Sequence, residues 1–142
     1  MRYLIILTLF LLGPAATAQM VSRFNLYFDS NEHKLIESHE EEIEEILSHL
    51  TNIPEAYTVQ VIGHTDSDGD MAFNKALSDR RAKSVAAHFQ ANGFLKKNTL
   101  LGAKSYSAPV ATNADEQGKS KNRRVEVIIE AKRYSFTEKL GY

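Results

Sequence analysis

The sequence predicts an α/β (α+β) two-layer sandwich, ordered strand-helix-strand-helix-strand-strand, with both helices packed on one face of a mixed sheet. Two stretches, at 32–50 and 71–92, carry apolar residues at helical spacing. Four shorter runs rich in β-branched and aromatic residues flank and separate them. What remains after the N-terminal segment suits one domain with one modest core.

That segment reads MRYLIILTLFLLGPAATAQ, with one charge at Arg2, an apolar run from Tyr3 to Leu12, and the small residues Ala16-Thr17-Ala18. The pattern is that of a secretory signal peptide over 1–18. The run falls short of the roughly 20 residues that span a bilayer, so no transmembrane anchor is expected after cleavage. The absence of cysteine excludes a lipid-anchored lipoprotein and any disulfide. Removing 18 of the 142 residues leaves 124. Arg2 leaves with them, so 16 of the 17 Lys+Arg face 18 Asp+Glu, a net charge of −2 that nominates no nucleic acid. The expected organisation is a signal peptide at 1–18, one domain at 19–131 and a tail at 132–142 without periodicity.

Phe24 to Phe28 alternates apolar and polar side chains and ends at Asp29-Ser30-Asn31, a strand followed by a helix cap. Leu35, Ile36, Ile43, Ile46, Leu47 and Leu50 then mark an amphipathic helix from Glu32 to Leu50, whose glutamate run at 40–45 reads as a solvated face. Asn52-Ile53-Pro54 ends it, and Tyr57 to Ile62 is the second strand. Asp70 caps a long helix from Met71 to Asn92, with Gly93 as its left-handed stop. A weaker strand lies near Thr99 to Tyr106. The small and polar stretch from Ser107 to Lys121 reads as a long loop with room for one helical turn. Asn122 to Ala131 is the clearest strand, with Val125, Val127 and Ile129 on one face.

One residue breaks the pattern. Leu77, Arg81, Val85 and Phe89 follow at intervals of four, so Arg81 stands in the row that should face the sheet. Desolvating a guanidinium costs several kcal/mol unless a partner satisfies it, and Asp66, beyond the second strand, is the nearest candidate in sequence. In one reading the two form a buried pair that fixes the helix on the sheet. In the other the charges are kept apart at a pocket mouth and receive a ligand carrying both an ammonium and a carboxylate.

The surrounding residues, GHTDSDGDMAFNKALSDRRAKSV (63–85), resemble the core motif of the OmpA-like peptidoglycan-binding domain family. Gly63, Thr65, Asp66, Gly69, Asn74, Leu77, Ser78, Arg81, Ala82 and Val85 match that motif in order, and FDSNEHKL (28–35) and NRRVEV (122–127) match its flanking blocks. The resemblance covers roughly residues 24 to 130 and implies the same strand and helix order. It also implies a non-catalytic role: binding the diaminopimelate of the peptidoglycan stem peptide, with Asp66 accepting from the ammonium and Arg81 taking the carboxylate. Asn74, Thr65 and the Asn122-Arg123-Arg124 block carry over as supporting contacts. Strand parity favours Arg123 over Arg124 for the pocket, and the loop at Asp29-Ser30 is expected to contribute backbone groups. Exchanging Asp66 or Arg81 for alanine is then expected to remove binding with the fold largely intact. The segment GAKSYSAPV departs from the glycine-rich stretch common in the family. The implied location is the periplasm, with association to the outer membrane through partners; the same domain could also serve as an adaptor for envelope proteins.

Other constellations are weaker. Asp66, Asp68 and Asp70 imitate the start of a calcium loop, but Met71 and Leu77 stand where it requires glycine and glutamate, so no metal is expected. His64 beside Asp66 raises a metal-dependent cell-wall hydrolase. The other histidines, His33, His39, His49 and His88, are scattered over the two helical stretches, and no cofactor is implied. Lys119, Lys121, Arg123 and Arg124 lack the interleaved aromatics of a nucleic-acid surface, so this basic cluster is read as part of an anionic-ligand pocket or a solvated strand start.

Overall fold

The computed structural model describes residues 8–9, 19–49 and 57–132. Apart from Thr8 and Leu9, the expected signal peptide lies outside these residues, as do the Asn52-Ile53-Pro54 break and the tail beyond Lys132. The strands are β1 (Thr8–Leu9), β2 (Gln19–Tyr27), β3 (Tyr57–Gly63), β4 (Thr99–Ala103) and β5 (Arg124–Lys132). The helices are α1 (Glu37–His49), α2 (Met71–Ala91) and α3 (Glu116–Asn122), and a single 3-10 turn covers Lys96–Asn98. They form a mixed sheet in the order β1-β2-β5-β3-β4, in which β5 runs antiparallel to β2 and β3 while β4 lies parallel to β3. β5 is central, paired on both sides, and buries Val125, Val127, Ile128, Ile129 and Ala131.

Alternation decides which face is covered. Phe24 and Leu26 of β2, Val59 and Val61 of β3, and Val125, Val127 and Ile129 of β5 point into one core. Ile43 of α1 and Ala82, Val85, Ala86 and Phe89 of α2 complete it. Each fully buried Val, Leu or Phe contributes about 1.5–3 kcal/mol, so this layer is the main source of stability. Phe89 stacks on Phe24 with centroids 6.4 Å apart and meets Phe94 edge-on at 5.2 Å.

The long helix begins and ends as its sequence signals indicate. Asp70 accepts from the Phe73 amide at 2.8 Å, and Gly93 takes a φ of +98° just past the end. The other helix starts five residues later than expected, at Glu37 rather than Glu32. The reason is that the carbonyls of Asp29 and Glu32 are turned away from a helical ladder to accept hydrogen bonds from Arg81. Asn31 accordingly sits in the left-handed region at φ 61°. The true cap is a local substitute: the Ile36 amide donates to His39 Nδ1 at 3.2 Å, and His39 Nε2 donates to the Tyr27 carbonyl at 2.7 Å. His33 therefore lies before α1 rather than on it. The expected loop at 107–121 contains the seven-residue α3, whose Asp115 cap accepts from the Gly118 amide at 2.7 Å. Asn122 closes that helix instead of opening the last strand.

Gly63 sets how closely α2 approaches. A Cβ there would stand 1.8 Å from the Ser78 carbonyl oxygen, so only glycine lets the helix backbone rest on the end of β3. One turn further along α2 comes Arg81, brought by this contact to the end of the sheet.

Candidate ligand-binding site

At one end of the sheet β2 and β3 finish and β5 begins, and three loops converge there: 28–36, 64–70 and 104–123. Arg81 enters beneath them, as the helical row Leu77, Arg81, Val85, Phe89 requires, and its side chain is 0% exposed. Nε donates to the Glu32 carbonyl at 2.7 Å, Nη1 to the His64 carbonyl at 2.9 Å and Nη2 to the Asp29 carbonyl at 2.9 Å. The guanidinium also lies over the Phe28 ring, 5.3 Å from its centroid. A guanidinium has five N–H donors. Three are used here, which leaves one on each Nη nitrogen. No carboxylate among the described residues comes within ion-pair distance of it. Burial lowers its pKa to about 10, against the opposing charge of Asp66 nearby. Arg81 thus remains a cation at neutral pH, held by dipoles and an aromatic face.

Asp66 is also buried, at 5% exposure. Oδ2 accepts from Arg123 Nη1 at 3.1 Å, and Oδ1 accepts from the Asp68 amide at 3.1 Å. Arg123 in turn donates through Nε to the Phe28 carbonyl at 3.1 Å and through Nη2 to Glu116 Oε1 at 2.5 Å. Burial opposes the charge of Arg123, but its bonds to Glu116 and Asp66 outweigh that and hold its pKa above the ordinary arginine value. Asp66 and Arg81 are therefore not bonded to each other. Both are buried rather than presented at a pocket mouth, each with its own supports.

The three crowded aspartates have three different partners. Asp66 meets Arg123, Asp68 meets Lys119 Nζ at 2.8 Å, and Asp70 caps α2. Among the described residues no group of histidine and carboxylate side chains could hold a metal ion. Asn74, 1% exposed, donates from Nδ2 to the Asp68 carbonyl at 2.8 Å and so fixes the loop that carries Asp66. Asp29 contributes its backbone carbonyl, as described. The Thr65 hydroxyl is buried beside Asp66 and has no hydrogen-bond partner. Arg124 points elsewhere, with Nη2 on the Ala108 carbonyl at 3.3 Å. The His64 imidazole is likewise set apart from the aspartates, buried with Nε2 3.9 Å from Glu126.

Glu116 and Asn113 are site residues that the sequence reading did not assign, whereas Asn122 was expected as a supporting contact and Lys119 as part of a basic cluster. Asn122 accepts from the amides of Val110 and Ala111 and donates to the Ala111 carbonyl and to Asn113 Oδ1, which itself accepts from the Ser67 amide at 3.3 Å. One buried asparagine thereby ties the 110–113 loop to the loop bearing Asp66. The available signal was Asp115-Glu116, a cap followed by an acidic first turn.

The result is a compact array in which Arg81, Arg123 and Lys119 alternate with Asp66, Asp68 and Glu116. Such an array suits a small ligand carrying both signs of charge. A family model described as the OmpA family matches residues 27–123. The chain is 45% identical over 73 residues to the outer-membrane lipoprotein YfiB of Pseudomonas aeruginosa, covering 51% of this chain and 44% of that protein. It is 31% identical over 121 residues to the peptidoglycan-binding protein ArfA of Mycobacterium tuberculosis, covering 82% of this chain and 37% of that one. It thus spans less than half the length of either relative. Among solved structures, the cell wall anchor of the T6SS from Pseudomonas aeruginosa superposes with a TM-score of 0.68 at 27% identity, over 79% of this chain and 82% of the other.

Proposed function

The chain belongs to the OmpA family, and from that premise we propose that it is a non-catalytic module of the cell envelope that binds peptidoglycan through the diaminopimelate of the stem peptide. One observation carries the finer part of this reading. Arg81 is a wholly buried cation with no carboxylate partner among the described residues, two N–H groups to spare, and the carboxylate of Asp66 close by. A buried charge without a counter-ion is costly, and a ligand carboxylate would supply the missing partner while its ammonium reaches Asp66. Asn74, Thr65, Arg123 and the Asp29 carbonyl hold the two charges in place or line their surroundings.

Each charge-assisted contact is worth about 1.5–3 kcal/mol net. Two or three of them give only modest affinity once association costs are met. Retention on a wall polymer then rests on its many equivalent sites, and no described helix is long and apolar enough to cross a membrane. Calorimetric titration with diaminopimelate and with lysine tests the reading, because lysine lacks the second carboxylate. Diaminopimelate is expected to bind more tightly, and Asp66→Asn to lose both this binding and pull-down on purified sacculi. Equal binding of the two amino acids, or an Asp66→Asn variant that behaves like the parent, removes the assignment.

A further inference from the structure

Glu116 and Lys119 stand three residues apart on α3 and so share one of its faces. The Glu116 carboxylate bonds Arg123 Nη2 at 2.5 Å, and the Lys119 ammonium lies 2.8 and 3.0 Å from the two carboxylate oxygens of Asp68. One turn of helix therefore presents to the site a carboxylate seated on a guanidinium and an ammonium seated on a carboxylate. This is the charge pair of an amino-acid zwitterion. We infer that Glu116 and Lys119 are an internal competitor beside the Asp66 and Arg81 charges: they hold the neighbouring Arg123 and Asp68, and give way when the carboxylate and ammonium of a ligand enter, so that they lower its affinity.

The exposures distinguish what can be exchanged from what cannot. The Glu116 side chain is 74% exposed and that of Lys119 23%, whereas the side chains of Asp66 and Arg123 are buried. Each α3 pair has one solvent-exposed end, Glu116 at 74% and Asp68 at 59%, so these pairs are more easily exchanged than the Asp66–Arg123 pair, in which both side chains are buried. Lys119 also lies within electrostatic reach of Asp66, which places its ammonium in competition for the same negative field.

This inference rests on the diaminopimelate reading of the same site, and the test separates the two. Full-length parent, Glu116→Gln, Lys119→Gln, the double variant and Asp66→Asn are titrated with diaminopimelate. Each single α3 variant is expected to bind up to about fivefold more tightly than the parent, and the double variant more tightly still. If Asp66→Asn loses binding while the α3 variants bind like the parent or more weakly, the internal competitor is wrong and the ligand site stands. If Asp66→Asn binds unchanged, the site itself is wrong and the inference falls with it.

Discussion

Asp66 and Arg123 form a 3.1 Å ion pair from which solvent is almost excluded, while Arg81, the residue that the helical pattern marks as Asp66's partner, bonds only to backbone carbonyls. The two buried arginines divide the work. Arg123 bridges the loop after β3 to α3 and to the end of β2, where it reaches the Phe28 carbonyl. Arg81 gathers the 29–32 turn and the end of β3 around one guanidinium. Neither pure alternative from the sequence describes this, since Arg81 is structural in its three carbonyl bonds and has no carboxylate bonded to its charge.

The two charges should therefore respond differently to substitution. Arg81→Lys replaces a planar fork by a single ammonium that cannot span the carbonyls of Asp29, Glu32 and His64. Losing two of three charge-assisted bonds in a buried place is expected to cost about 3 kcal/mol of stability as well as binding. Asp66→Asn keeps the shape and the hydrogen bond from the Asp68 amide and breaks the ion pair to Arg123, which retains Glu116 as a carboxylate partner, so it should lose binding with a smaller change in stability than Arg81→Lys. Urea denaturation of both variants checks this, and the expectation that either residue can be removed with the fold intact then holds for Asp66 alone. An Arg81→Lys variant as stable as the parent would show that the carbonyl cage contributes little.

The close contact of α2 with β3 predicts a contrast between two strand glycines. Gly63→Ala forces a methyl group to within 1.8 Å of the Ser78 carbonyl oxygen, and backbone must move to relieve it. The expected cost is about 3 kcal/mol. Gly102→Ala meets only Ile62 side-chain atoms at 3.4 Å, an ordinary contact, and should change stability by less than about 1 kcal/mol. Denaturation midpoints of the two variants decide the matter, and equal midpoints would mean that α2 is free to shift away from the strand.

Much of this fold was legible because its signals are periodic and local. The apolar alternation of β5, the row Leu77, Arg81, Val85, Phe89 and the Asp70 cap each declare themselves within a few residues, and the structure places them as read. The start of α1 was not legible, because what unwinds residues 32–36 is Arg81, 49 positions away from Glu32 in sequence. The same holds for α3. Its sequence, EQGKSKN, carries no apolar stripe, and the helix is fixed by the hydrogen bonds of Asn122 and by the pairing of Lys119 with Asp68, 51 positions away. In the site, Arg81 announced itself as a charge in an apolar row and Asp66 as the nearest carboxylate to it, whereas Glu116 sits in polar sequence where a charge looks ordinary.

The last prediction concerns acid stability and arises from His64, whose carbonyl accepts from Arg81. Its imidazole is 2% exposed, neither ring nitrogen has a hydrogen-bond partner, and burial first, then the positive charges of Arg124 and Lys104, lower its pKa from 6.5 to about 4. Glu126, 3.9 Å from Nε2, is the negative group facing it and only partly offsets these effects. The folded protein thus keeps His64 neutral down to about pH 4, whereas the unfolded chain takes up a proton near 6.5. Above 6.5 neither state is protonated and the residue contributes no pH dependence. As the pH falls from 6.5 towards 4 the unfolded state binds the extra proton and gains on the folded one, by a total on the order of 3 kcal/mol. Replacing His64 by asparagine removes that proton, so urea midpoints measured from pH 7.5 to 4.5 should fall less steeply for His64→Asn than for the parent. Parallel slopes in the two proteins would mean that the imidazole is protonated in the folded state as easily as in the unfolded chain, and that its burial carries no electrostatic cost.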